Sequence, residues 1–119
     1  MNFKALKVGL KAPETINASN FIIFCGGQHI LNPGDRLVIP AFLIVEGETK
    51  NLVTSSLPGL FSKHGIVVIP QFFLTDDEIS VMVMNTLDPS PPTNAEALFG
   101  SSRRFQFNPA DPLAKLTVL

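Results

Sequence analysis

Apolar and polar residues alternate along this chain in short runs, and no run holds its pattern for long. The clearest is Glu78 to Asn85, where Ile79, Val81 and Val83 alternate with Ser80, Met82 and Met84. A period of two over that length predicts a strand with one buried face. Turn signals separate such runs at short intervals: Gly26-Gly27, Asn32-Pro33-Gly34-Asp35, Glu46-Gly47-Glu48, Pro58-Gly59, Thr75-Asp76-Asp77, Asp88 to Thr93 and Asn108-Pro109-Ala110-Asp111. That spacing predicts an all-β sandwich or barrel. No segment of a dozen residues has clean helical periodicity.

The remaining strands are expected as follows. Lys4 to Val8 is a first edge strand, Phe21 to Cys25 is short and apolar, and His29 to Leu31 leads into the Asn32–Asp35 turn. Arg36 to Val45 follows, with Pro40 marking a bulge or an edge position. Thr49 to Ser55 is next, and Gly65 to Ile69, wholly apolar, is expected to be buried on both faces. Arg103 to Phe107 alternates charge with Phe, and Lys115 to Leu119 is the last strand. Leu87 to Gly100 is the one long insert. Its Asp88-Pro89-Ser90-Pro91-Pro92 run must be extended or turning. Asn94 to Leu98 fits one short helical turn with Asn94 as its cap. A contact role suits this loop better than a catalytic one.

Composition adds a constraint. A chain of 119 residues suits one domain, 1–119, with one core. Only 16% of residues are charged while 45% are hydrophobic, against about 25% charged in an ordinary soluble domain. A small monomer hides that much apolar surface poorly, whereas an oligomer can divide a core between copies. All ten aromatic residues are Phe, which suits dry packing and supplies no phenol for acid chemistry. A net charge of −1 with no arginine-rich run gives no support to nucleic-acid binding. The single cysteine, Cys25, excludes an intrachain disulfide and a cysteine-rich metal site. It follows Phe21-Ile22-Ile23-Phe24, so a buried thiol is expected. The longest apolar stretch, Leu37 to Val45, contains a proline and is too short for a membrane span. Met1 to Lys7 lacks the apolar run of a signal peptide. The expected setting is an intracellular space or a particle assembled there.

Taken in order, these elements resemble the trimeric dUTPase family, whose members are β jelly-rolls that hydrolyse dUTP. Lys4 to Asn20 is similar to the first strand and the lead-in to the first motif. Ile30 to Pro40 resembles the family's proline-glycine turn between two strands. Pro58-Gly59-Leu60-Phe61-Ser62-Lys63-His64-Gly65-Ile66 resembles the second motif, R-S-G-L-A-x-K-H-G-I. Asp77 to Asn85 resembles the end of the third motif and its strand. Phe105 to Leu116 resembles the F-x-V-x-x-G-D-R-I-A-Q-L strand pair. The resemblance implies an antiparallel jelly-roll or distorted barrel of the dUTPase-like type that forms a homotrimer.

The departures bear on activity. Family members use carboxylates to activate water and to hold a Mg²⁺-triphosphate. In the first motif, A-G-x-D, the match is Ala18-Ser19-Asn20-Phe21, with Phe21 in place of the acid. The Arg-Ser pair of the second motif is replaced by Leu57-Pro58. Leucine offers no guanidinium fork and proline no backbone N–H. The span from Ile66 to Glu78 is about four residues shorter than the third motif requires. One register puts Phe72 where the catalytic aspartate should be and Thr75 where the tyrosine should be. A shifted register brings Asp76 near instead. The G-D-R turn becomes Ala110-Asp111-Pro112, and no glycine-rich arm follows the last matched strand. The expectation is therefore a non-enzyme, with no catalytic, cofactor-binding or metal-binding residues.

Single residues read the same way. His64 and His29 are expected to be structural. The Asp76-Asp77-Glu78 cluster is expected to be solvated rather than a cation site. Met82 and Met84 share a face and are expected in core or trimer packing. Thr117-Val118-Leu119 matches a pattern read by PDZ domains, but the resemblance places it in a strand. The leading functional expectation is a trimeric decoration or cement protein on a phage capsid, bound to the major capsid protein at three-fold positions and located on the virion. A dUTPase-derived regulatory protein acting on a host partner is the second, and a divergent dUTP hydrolase the third.

Overall fold

The computed structural model describes residues 2–88 and 103–119. The described residues are almost entirely strand and turn, with one short helix, α1 (Pro58–His64). Five strands form the largest sheet: β2 (Glu14–Asn17), β3 (Asn20–Phe24), β12 (Pro112–Val118), β7 (Asn51–Ser55) and β9 (Gln71–Leu74), in that spatial order. Three more form a second sheet, in the order β5 (Arg36–Pro40), β10 (Ser80–Asn85) and β8 (Ile66–Ile69). Two strand pairs complete the fold: β1 (Asn2–Ala5) with β6 (Leu43–Glu46), and β4 (His29–Leu31) with β11 (Phe105–Phe107). Every pairing is antiparallel. The expected all-β class holds. No helix among the described residues is long and apolar enough to cross a membrane.

The core lies between the inner faces of these sheets. Ile39, Val81, Val83, Ile66 and Val68 enter it from the three-stranded sheet, and Phe21, Ile23, Leu52, Leu116 and Val118 from the five-stranded one. The alternation read in Glu78 to Asn85 holds: Ile79, Val81 and Val83 are buried, and Ser80, Met82 and Met84 are half-buried on the other face.

Several boundaries differ from expectation for identifiable reasons. The run Arg36 to Val45 is two strands, not one. Ile79 donates to Leu43 O and accepts from Ala41 N–H, both at 3.0 Å. Phe42 bulges out between them at φ +54°, a conformation that bulky residues rarely adopt. Pro40 sits on the edge strand β5, where a missing N–H breaks no ladder. β8 is buried on one face only, because Val67 and Ile69 are half-exposed. Strands β2 and β9 are both sheet edges and lacked a sequence signal. β1 starts two residues earlier than the expected Lys4, and β12 starts at Pro112 rather than Lys115. α1 is seven residues long, below the length at which periodicity shows, and starts on a proline. The expected helical turn at Asn94 to Leu98 lies outside the described residues.

Three connections share one device. In Asn32–Asp35, Leu74–Asp77 and Asn108–Asp111, the fourth residue's N–H donates to the first residue's carbonyl, at 2.9, 3.1 and 3.0 Å. Its carboxylate also accepts the first residue's N–H, at 2.8, 2.9 and 2.7 Å. The third residue of each turn has positive φ: Gly34 at 83°, Asp76 at 72° and Ala110 at 70°. Positive φ at that position alone defines a type II turn, which favours glycine there. Ala110 holds the conformation without glycine and bears the strain of a Cβ.

A buried amide joins the sheets. Asn85 is fully buried. Its Nδ2 donates to Leu31 O at 3.1 Å and to Arg103 O at 2.8 Å, and its Oδ1 accepts Leu87 N–H at 3.1 Å. Its backbone donates to Asp35 O and accepts from Gly34 N–H, each at 2.9 Å.

Two stability measurements check this account. Asn85→Ala strands three backbone groups and is expected to lower unfolding free energy by about 3 kcal/mol in urea titration. Ala110→Gly relieves the turn and is expected to raise it by about 1 kcal/mol, net of the added unfolded-state entropy.

Candidate functional site

The positions that a dUTPase-like site would use are distributed over four elements. Ala18 to Phe21 spans the β2–β3 turn and enters β3. Leu57 and Pro58 lie at the start of α1. Phe72 lies in β9, and Ala110 to Pro112 form the turn into β12.

Phe21 does not face a site. Its side chain is buried in the core, and the Phe3 ring meets it edge-on at 5.1 Å between centroids. Phe72 does the opposite. It projects from the outer face of the edge strand β9 and is 74% exposed. Its cross-strand neighbour is Val53, so this exposed position offers packing surface and no charge.

The first- and third-motif matches come together at a surface cavity of about 410 Å³ lined by Ala18, Thr75, Glu46, Glu48 and Lys50, among others. The sequence reading did not single out these two glutamates; their only signal was a turn with alternating acids. Thr75 is not free to act on a ligand there. Its hydroxyl donates to Glu48 O at 3.2 Å and accepts Lys50 N–H at 3.3 Å, and its backbone N–H donates to Lys50 O at 3.1 Å. A triphosphate in this cavity would meet two carboxylates and one amine, an unfavourable balance for an anion.

The second-motif match meets the last turn at another depression, of about 290 Å³. Its lining is Leu57, Gly59, Leu60, Lys63, His64 and Pro112. The aliphatic side chains supply most of that surface. His64 is exposed, with its ring 4.9 Å from that of Phe105. Asp111, the one acid retained from the G-D-R turn, faces inward on its own turn and caps Asn108. Asp77 likewise caps Leu74, and Asp76, Asp77 and Glu78 are all exposed, as expected of a solvated cluster.

Cys25 is buried, as its neighbours implied, and its Sγ donates to Gly27 O at 3.1 Å. Burial raises its pKa above the ordinary thiol value and Asp111 adds to this, while the Gly27 contact and Lys7 oppose it. A thiol held protonated is a poor nucleophile. Among the described residues, no three of His, Cys, Asp and Glu are grouped to hold a metal ion. Thr117 and Val118 pair with Val53 and Leu52, and Leu119 N–H donates to Asn51 O at 2.9 Å. The Thr117-Val118-Leu119 segment is therefore bound into the sheet and is not an extended ligand.

No family model matches the chain, and no curated protein matches it in sequence. Solved structures do. A mutant dUTPase of phage 80α superposes with a TM-score of 0.81 at 13% identity, over 99% of this chain and 88% of that one. Another mutant of the Staphylococcus bacteriophage 80α enzyme, bound to dUpNHpp, gives 0.80 at 13% identity, over 99% and 80%. A mutant dUTPase from phage phi11 of S. aureus gives 0.78 at 17% identity, over 99% and 88%. The chain has the dUTPase-like fold.

The hydroxyl of Thr75 makes a prediction of its own. Thr75→Val keeps the volume but removes both side-chain bonds that hold the Glu46–Lys50 loop. It is expected to cost about 1–2 kcal/mol by denaturant titration.

Proposed function

We propose that this chain is a catalytically silent protein that assembles with copies of itself and acts by binding another protein. Phe72 carries the proposal. In the unshifted register it occupies the position of the water-activating carboxylate, and it stands 74% exposed on a sheet edge. A large aromatic at that exposure suits contact with a second surface and cannot abstract a proton. In the shifted register Asp76 is the third residue of a tight turn, exposed to solvent, with the span around it about four residues shorter than the third motif requires.

Self-association is supported by a second surface. On the outer face of the three-stranded sheet, Val38, Met82 and Ile69 form one cross-strand row, and Arg36, Met84 and Val67 the next. All six are at least partly exposed, and only Arg36 is charged. Such a face resembles half of a divided core. The low charge fraction of the whole chain agrees with it.

Phage dUTPases with this fold are described as controlling transfer of virulence genes by a G protein-like mechanism. A regulatory role through a protein partner is therefore the reading we favour, with a phage as the source. Capsid decoration is the second reading. What favours it is the presence of two exposed apolar surfaces on different sheets: one can serve self-association while the other meets capsid subunits, with avidity from the multiple copies.

Light scattering is expected to give three times the 12.9 kDa of one chain. Met82→Lys, which puts a charge in the outer face, is expected to shift that mass toward the monomer. Incubation with dUTP and Mg²⁺ is expected to yield no dUMP above background, and steady turnover would sink the proposal. Sedimentation with phage particles separates the two partner readings: a bound fraction supports decoration, and a wholly soluble protein supports regulation.

A further inference from the structure

We infer that residues Leu6 to Lys11 form a releasable strap over the corner at Cys25, opening as a unit while the rest of the fold stays closed. The strap joins β1 to the lead-in of β2. Its contacts to the body are two hydrogen bonds, two cation–π contacts and one apolar side chain, Leu10, packed against the core. Leu6 N–H donates to Phe42 O at 2.8 Å. Lys7 Nζ donates to Gly26 O and lies 5.0 Å from the centroid of the Phe42 ring. Lys11 Nζ lies 4.1 Å from the centroid of the Phe24 ring. Between the two lysines, Leu10 packs over Gly26. A Cβ added there would stand 2.9 Å from Phe42 and 3.2 Å from Leu10.

Leu10 is the one apolar anchor, and the remaining contacts mark the strap as separable. Cation–π contacts at exposed sites are weak, and both lysines are exposed. Val8, at the tip of the strap, is 99% exposed and gives it no anchorage. β1 pairs only with β6, outside the two larger sheets. Beneath the strap, Phe42 is held at φ +54° by the bonds of Ala41 and Leu43 to Ile79 on either side of it, so the body keeps its form when Leu6 lets go of the Phe42 carbonyl. Segments with few buried contacts open locally, below the free energy of global unfolding. Under the strap lie Phe24 and Cys25, both buried, and the half-buried ring of Phe42. Opening would uncover an apolar strip with a thiol in it.

Cys25, the only cysteine, reports on the opening. The full chain is labelled with iodoacetamide at fixed pH across a series of sub-denaturing urea concentrations. The expected result is labelling that hardly depends on urea at low concentration and is faster than global unfolding allows. Labelling that follows the steep urea dependence of global unfolding throughout would overturn the inference. The double variant K7Q/K11Q removes both cation–π contacts and is expected to speed labelling on the order of tenfold, with the weak urea dependence at low concentration kept and the midpoint of global unfolding lowered by the matching loss of closed-state stability. Unchanged labelling in a folded double variant would equally overturn it. If that variant does not fold, the urea dependence of the unaltered chain still decides.

Discussion

Asn85 is the group that fastens the three-stranded sheet to the β4–β11 pair. The four sheets are separate hydrogen-bonded units, and ladders alone do not fasten them together. Asn85 is the last residue of β10, and it faces inward in the same row as Ile66 of β8. Its amide reaches the end of β4 at Leu31 and the chain just ahead of β11 at Arg103, while its backbone docks the Asn32–Asp35 turn. All three polar contacts of the side chain are to backbone. No apolar residue of that size could stand in, because the carbonyls and the N–H it serves would be buried without partners. The side chain also ties Leu87 to Arg103, so it closes the base of the long insert from inside the core. Hydrophobic burial supplies the driving force for the layers, this amide ties the three-stranded sheet to the β4–β11 pair, and backbone bonds from Ile79 and Asp76 tie β6 to its neighbours.

The three capped turns extend the same logic to the periphery. Each reverses the chain by a carboxylate that folds back on its own turn, so each acid is committed locally. Asp111 illustrates the consequence. Seen in the sequence, it looked like a survivor of a nucleotide site. Within the fold it holds a type II turn whose Cys25 contacts, Ala110 N–H to Cys25 O and Cys25 N–H to Asp111 O, fasten that turn to the end of β3. A residue kept for the turn and a residue kept for the chemistry leave the same mark in a sequence. Only the hydrogen bonds separate them.

Legibility followed the strength of the local signal. β10 was readable because six residues alternate without interruption, and β4 because a proline-glycine turn stops it sharply. The break at Phe42 was not readable. Nothing in Ala41-Phe42-Leu43 marks a bulge, and Pro40 lies two residues before the break. β2 and β9 are edge strands of four residues, held by one neighbour each, so their form is set by β3 and β7 rather than by their own pattern. The candidate site was legible in part. The expectation that Phe21, Leu57 and Phe72 stand where the resembling motifs carry polar groups came from motif order. That Ala18 and Thr75 border one cavity and Leu57 and Pro112 another could not be read there, since those approaches span up to 57 residues of sequence. Glu46 and Glu48 were missed for the same reason.

The two phenylalanines at acid positions make opposite use of one kind of change. At Phe21 the ring points inward, packs on Phe3 and belongs to the continuous core. A carboxylate there would be desolvated among apolar side chains, with no cation beside it to compensate. Stability holds the ring at this position, because an acid in its place would damage the core packed around it. At Phe72 the ring points outward from a strand edge and adds little to the core of its own chain. Its burial would have to come from outside. A buried aromatic and an exposed one thus differ in what they serve: Phe21 strengthens the fold, and Phe72 leaves an apolar ring on its surface.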